Sequence, residues 1–120
     1  MKSLNVDAFL AEITTSLKKY FTEFKIEFLL RTPKSLKCNI YLEAGLFIAV
    51  RYNSRNERID FALIQNNQRI FGYDNLKEWH CHPHENPSAH IPCDKPSIEK
   101  IVSDIGVVCT AIKASGGHHG

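Results

Sequence analysis

The sequence has no long apolar run, little net charge and no signal-peptide pattern. No stretch approaches the ~20 apolar residues that a membrane-spanning helix needs. The first seven residues reach an acid before any signal-peptide core develops. The formal net charge is +2, far below that of a protein that coats nucleic acid without specificity. These absences predict a cytoplasmic protein with no membrane partner, and they leave room for a local basic groove.

The four cysteines form no CxxC motif, and 120 residues can bury a core without disulfides or metal. We therefore expect free thiols, with a disulfide between Cys81 and Cys93 as a minor alternative. Cys38 and Cys109 lie within apolar patterns and are expected to be structural. The length fits one domain over residues 1–114, followed by a disordered tail at 115–120 whose histidines receive no role.

The apolar periodicity changes from helical to alternating near Phe24. Before it, Asn5 is placed to cap a helix with one apolar stripe. After it, alternating runs predict five strands, at 24–32, 36–43, 46–52, 59–65 and 68–73. A last helix is expected to begin near Ser97. This order predicts an α+β fold, with a five-stranded antiparallel meander packed against an N-terminal and a C-terminal helix.

The segment 74–96 differs in kind from the rest of the chain. It is rich in proline and holds four histidines, two cysteines and the only tryptophan, with no apolar periodicity. Ordered loops of this length are usually functional. His80, His82 and His84 alternate, so an extended backbone would place them on one face, and Pro83 favours extension at His82.

Imidazole titrates near neutral pH, so such a cluster suits either acid–base catalysis or divalent metal binding. For catalysis, His82, His84 and His90 near Asp74 are candidates for cleaving an RNA phosphodiester. One imidazole would take the 2′-hydroxyl proton and another would protonate the leaving oxygen. A cation must also stabilise the phosphorane. The candidate cations are Arg51, Arg69 and Lys77.

Each of these residues also has an ordinary structural interpretation. The histidines can be surface-loop residues without a ligand, and no spacing matches a known zinc motif. The run Tyr73-Asp74-Asn75 is equally typical of a strand-ending turn. A lone tryptophan such as Trp79 packs at the edge of the hydrophobic core more often than it stacks on a base. If zinc binds, its ligands would come from His80, His82, His84, His90 and Cys93.

The run Gln68-Arg69-Ile70-Phe71-Gly72-Tyr73-Asp74-Asn75, with the histidine-rich loop after it, resembles the TumE family of small prokaryotic toxin–antitoxin proteins. The resemblance covers roughly residues 24–105, and its specific part is about thirty residues from Ile64 onward. Gly72 stands where family members usually have arginine, and Arg69 is the candidate substitute. The compact histidine run of the family is also spread out here. The matching positions are Tyr73, Asp74 and Asn75 at the strand end and His82, His84 and His90 in the loop.

The resemblance implies a type II toxin that a helix-turn-helix antitoxin protein binds and silences. By analogy, its activity would be that of a metal-independent ribonuclease that uses the loop histidines. Two alternatives stay open: a non-catalytic protein- or RNA-binding module, and a zinc-binding accessory protein. A homodimer also stays open. The expected substrate-binding residues are Tyr73, Asn75, Arg69, Lys77 and Trp79.

Overall fold

The computed structural model describes residues 4–116, and helix α1 opens this part of the chain at Val6–Tyr20. The side chain of Asn5 accepts a hydrogen bond from the Ala8 amide at 2.7 Å and caps the helix as predicted. Phe9 lies on the buried face of α1 and stacks on Tyr52 of the sheet, with ring centroids 4.0 Å apart. The helix thus lies on the sheet through its apolar stripe.

Helix α2 spans Ile98–Gly116 and packs beside α1. The Ser97 hydroxyl accepts a hydrogen bond from the Lys100 amide at 3.0 Å, which satisfies one free donor at the helix start. The helix passes through Gly106 without ending, and it runs two residues beyond the predicted boundary of the domain. The remainder of the predicted tail, 117–120, lies outside the described residues, as do both of its histidines.

The sheet contains seven antiparallel strands, and neighbours in the chain are neighbours in the sheet. Gly45 and the pair Asn66 and Asn67 all have positive φ, which the tight hairpin turns at these positions require. The strands are β1 (Lys25–Arg31), β2 (Ser35–Glu43), β3 (Leu46–Asn53), β4 (Arg58–Gln65), β5 (Gln68–Asp74), β6 (His80–His82) and β7 (Ile91–Pro92).

The α+β class and the first five strands are confirmed, but the count of five is wrong. The segment 74–96 contributes β6 and β7, which extend the meander at its far edge. Three-residue and two-residue strands are too short to show an alternating pattern, so periodicity did not predict them. Pro92 is tolerated in β7 because an edge strand has a free side that needs no amide donor.

The hydrophobic core lies between the helices and one face of the sheet. Its central side chains, such as Phe9, Ile48 and Phe61, are almost completely inaccessible to water. Cys38 and Cys109 are buried within it, and all four cysteines are free thiols, as predicted. Neither described helix is long and apolar enough to cross a membrane. No helix of residues 4–116 covers the opposite face of the sheet, which carries the polar residues described next.

Candidate active site

Cross-strand register aligns charged residues in one row across the open face of the sheet. Lys37, Arg51, Asp60, Asp74 and His80 are successive partners from β2 to β6. Residues directly opposite one another project from the same face. The row therefore places Arg51 on the same face of the sheet as Asp74 and His80.

A cluster of three histidines and one carboxylate lies at the end of this row. His82 Nε2 is 2.5 Å from Asp74 Oδ2. The His90 ring lies against that of His82, with centroids 4.5 Å apart, and against that of His80, with centroids 5.7 Å apart. The β5–β6 pairing brings Asp74, His80 and His82 together, and the loop that follows β6 returns His90 to them.

Both ring nitrogens of His82 have a hydrogen-bond partner. Nε2 faces the Asp74 carboxylate, and Nδ1 lies 3.2 Å from the carbonyl oxygen of Pro87. His82 is only 1% exposed. The pair is therefore a buried, hydrogen-bonded histidine and carboxylate, and a backbone carbonyl holds the other side of the ring.

Two opposing effects act on the pKa of the Asp74 carboxyl. Burial alone would raise it, since a charged group is disfavoured away from water. The hydrogen bonds that His82 and the Leu76 amide donate to the carboxylate outweigh burial, and the pKa is lowered. Asp74 therefore stays ionised at neutral pH although it is only 7% exposed.

The three clustered histidines differ in their access to solvent. His90 is exposed, His80 is half-buried with Glu78 Oε1 3.7 Å from its Nε2, and His82 is buried. Proton transfer to an external molecule requires a ring nitrogen that this molecule can reach. The accessible imidazoles are thus those of His90 and His80. The buried ring of His82 packs against the ring of His90.

The other residues of the predicted site lie elsewhere. Among residues 4–116, no hydrogen bond or ring contact joins His84 to the cluster. Lys77 lies in an exposed turn with φ of 71°. Trp79 packs against the core, as its ordinary interpretation predicts, and Cys93 is half-buried beside the same core. The structure thus separates His84 and Cys93 from His82 and His90.

Asn75 is a structural residue at the end of β5. Its side-chain oxygen accepts a hydrogen bond from the Ile59 amide at 2.8 Å, and its amide group donates to the Glu57 carbonyl at 2.7 Å. Both polar ends are used, so Asn75 holds the start of β4 in place. This is the strand-ending interpretation of the motif.

Tyr73 faces the helices, on the side of the sheet opposite Asp74. Its hydroxyl donates a 2.6 Å hydrogen bond to Asp104 on α2. Burial raises the pKa of the Tyr73 phenol, and the hydrogen bond to Asp104 raises it further. Tyr73 therefore joins β5 to α2 and has no contact with the histidine cluster among the described residues.

The raised pKa of Tyr73 predicts a loss of stability in alkali. The folded state holds the phenol proton more tightly than the unfolded state does, so stability is complete below the unfolded pKa of about 10 and falls above it. Tyr73→Phe should cost about 1 kcal/mol at pH 7 through the lost hydrogen bond. The substitution should also reduce the fall in unfolding free energy at alkaline pH. Urea unfolding at pH 7 and at higher pH would measure both effects.

The buried thiols also lower the stability of the fold as the pH rises, since burial raises the pKa of Cys38 and of Cys109 to about 11. They are present in both proteins, so the comparison isolates Tyr73. Tyr20→Phe, which removes an exposed hydroxyl from α1, serves as the control. An identical alkaline decline for the parent and Tyr73→Phe would contradict the prediction.

Asp60 and Arg58 belong to the polar face but were not predicted from the sequence. Burial raises the pKa of Asp60, and the nearby Asp74 carboxylate adds to this, while Arg58, Arg51 and Arg69 oppose it. The Arg58 guanidinium lies 3.5 Å from the Asp60 carboxylate. Only the strand register, which pairs Arg51 with Asp60 and Asp60 with Asp74, would have revealed them.

Asp74, His82 and His90 are the described side chains that could hold a metal ion, with ligand atoms all within 4.8 Å of one another. This set includes an aspartate in place of the predicted His80, His84 and Cys93. An ion here would have to replace the proton between His82 Nε2 and Asp74. Donation from Nδ1 to a backbone carbonyl is an arrangement common in metal-binding histidines.

Comparison with known proteins gives this chain no relatives: it matches no family model, no curated protein and no solved structure. The resemblance to the TumE family thus rests on the sequence motifs alone. Its departure at Gly72 has a structural reason here, because a Cβ at this position would lie 2.6 Å from the Phe61 carbonyl oxygen. An arginine there would displace β4, whereas Arg69 reaches the same open face.

Proposed function

We propose that this protein cleaves RNA by acid–base catalysis, with His90 and His80 as the proton-transferring residues. The observation that carries this proposal is the pair of accessible imidazoles, 5.7 Å apart between ring centroids, at the end of a row of charged side chains. The 2′-oxygen attacks phosphorus and gives its proton to one imidazole. The other, as imidazolium, protonates the leaving 5′-oxygen, and the P–O5′ bond breaks to leave a 2′,3′-cyclic phosphate.

Asp74 and His82 are positioning residues in this proposal. The His82 ring packs against that of His90, and its own orientation is fixed at both nitrogens by Asp74 and Pro87. Such support holds a catalytic ring near its productive geometry, to which rates are sensitive. The phosphorane carries additional negative charge, which a cation must stabilise. The candidate cations are Arg58, whose charge acts on Asp74, and Arg51 and Arg69, whose charges act on the neighbouring Asp60.

We also propose that the cleavage makes this protein a growth-arresting toxin with a helix-turn-helix antitoxin as its partner. The support for this is the resemblance at the strand end and in the histidine loop. Asp74, His82 and His90 belong both to the resemblance and to the cleavage proposal. A short helix-turn-helix reading frame beside the gene, whose product blocks cleavage by the purified protein, would support the pairing.

The test of cleavage uses a fluorophore- and quencher-labelled RNA oligonucleotide and an all-DNA oligonucleotide of the same sequence. The purified protein is expected to cut the RNA, leave 2′,3′-cyclic phosphate ends and spare the DNA, because the DNA has no 2′-hydroxyl. It is expected to do so in excess EDTA. Intact RNA, or equal cleavage of DNA, would overturn the proposal.

The same experiment distinguishes a zinc-dependent activity. If EDTA abolishes cleavage and zinc restores it, the close set of Asp74, His82 and His90 holds a required ion, and the acid–base proposal without metal is wrong. Metal analysis would then show zinc that the protein retains through chelation and dialysis, or that it takes up again when zinc is added.

A further inference from the structure

We propose that the open face of the sheet binds single-stranded RNA in a groove that crosses the strands and leads to His82 and His90. The inference takes its substrate class from the proposed function and adds the place where the substrate lies. The groove has a volume of about 420 Å³, within the range of ~300–1,000 Å³ typical of ligand sites.

The floor of the groove is a row of small side chains. Asn39, Ala49 and Ala62 are successive partners on β2, β3 and β4 and line the groove. The same row continues through Gly72 to His82. Gly72 has no room for a Cβ, so the floor stays low up to the histidine cluster. Strands lie ~4.8 Å apart, so the row from β2 to β6 is about 19 Å long.

The two walls differ in chemistry. One wall is the charged row, with Lys37, Arg51 and Asp60. The other holds Ile64 and Arg69, and the register continues it to Phe47. The groove lining thus has three cationic side chains against one carboxylate. This lining favours an anionic chain.

The wall that contains Ile64 and Phe47 is the reason for proposing a single strand. Phe47 on β3 is half-exposed and its ring contacts that of Tyr41, with centroids 5.3 Å apart. An aromatic face beside a cationic row is the arrangement that stacks unpaired bases while cations hold the phosphates. The bases of a duplex are stacked on each other and cannot reach such a ring. The two walls are four residues apart along a strand, about 13 Å.

The binding test uses a fluorescein-labelled 2′-O-methyl RNA hexamer, which cannot be cleaved because it has no free 2′-hydroxyl. Ala62→Gln raises the floor and Phe47→Ala removes the aromatic face. Each is expected to weaken binding about tenfold or more, as measured by fluorescence anisotropy. Arg51→Gln should reduce the slope of log K against log salt by about 0.7. Lys113→Glu, on the outer side of α2, should leave binding within about twofold.

Two outcomes separate binding in the groove from cleavage. If RNA is cleaved but Ala62→Gln binds the hexamer with parental affinity, the groove inference fails and the proposed function stands. If the hexamer binds in the groove but RNA is never cleaved, the proposed function fails and the groove inference stands. A duplex RNA hexamer that binds as tightly as the single-stranded hexamer overturns the assignment of a single strand.

Discussion

His90→Ala is expected to slow RNA cleavage by about 10²- to 10⁴-fold, the usual contribution of a general acid or base. His90 is exposed and accessible to substrate, so its loss removes proton transfer and leaves the sheet and its core intact. The unfolding free energy should change by no more than about 0.5 kcal/mol. Single-turnover cleavage and urea unfolding of the same preparation would measure both.

His84→Ala is the matched comparison, because it removes an exposed imidazole from the same loop. The sequence places His84 in the catalytic set, whereas the structure leaves it outside the cluster. We expect His84→Ala to cleave RNA at the parental rate and, when expressed in a bacterial host, to arrest growth as the parent does. A large loss of cleavage rate in His84→Ala, with no loss in His90→Ala, would contradict the proposed roles of these two histidines.

Asp74→Ala is expected to destabilise the fold by about 3 kcal/mol, because it leaves buried polar groups without hydrogen-bond partners. The change leaves Nε2 of His82, a side chain that is 1% exposed, without its partner, and it removes the acceptor of the Leu76 amide. Either consequence alone is costly in a buried site. Equilibrium unfolding in urea at pH 7 would measure the loss.

Asp104→Ala is the control for Asp74→Ala. Asp104 also accepts hydrogen bonds, from Tyr73 and Lys100, but its side chain is 29% exposed, so we expect a loss of about 1 kcal/mol. The Asp74 effect should also shrink with acid. Its pKa is lowered on folding, so its contribution is complete above the unfolded value of about 4 and falls as the carboxylate is protonated in the folded state. A loss no larger than that of Asp104→Ala, or one independent of pH, would contradict the prediction.

The long elements could be predicted from the sequence because burial imposes a period on them. The apolar stripe of α1 and the alternation in β2 and β3 each follow from one buried face. The strands β6 and β7 show no such pattern, since they are three and two residues long and prolines lie beside or within them. Their position depends on pairing with β5, which is a tertiary interaction.

The site was predictable as a group of residues but not as an arrangement. Sequence reasoning grouped Asp74, His82 and His90, which the structure brings together; their chemical roles stay predictions. It also grouped His84, because alternation was extended past Pro83. The backbone instead turns there, with the Asn86 amide bonded to the Pro83 carbonyl at 3.1 Å, and the shared face ends.

The small size of β6 and β7 also has a consequence for how the molecule opens. β6 is held to β5 by three residue pairs and β7 to β6 by two, whereas β2 and β3 pair along almost their whole length. Local opening requires the least free energy where few backbone hydrogen bonds and little apolar surface must be given up. Amide hydrogens of 80–92 should therefore exchange with solvent well before those of the central strands. On heating, the histidine cluster would come apart while the central sheet is still folded, so activity would be lost below the temperature of global unfolding.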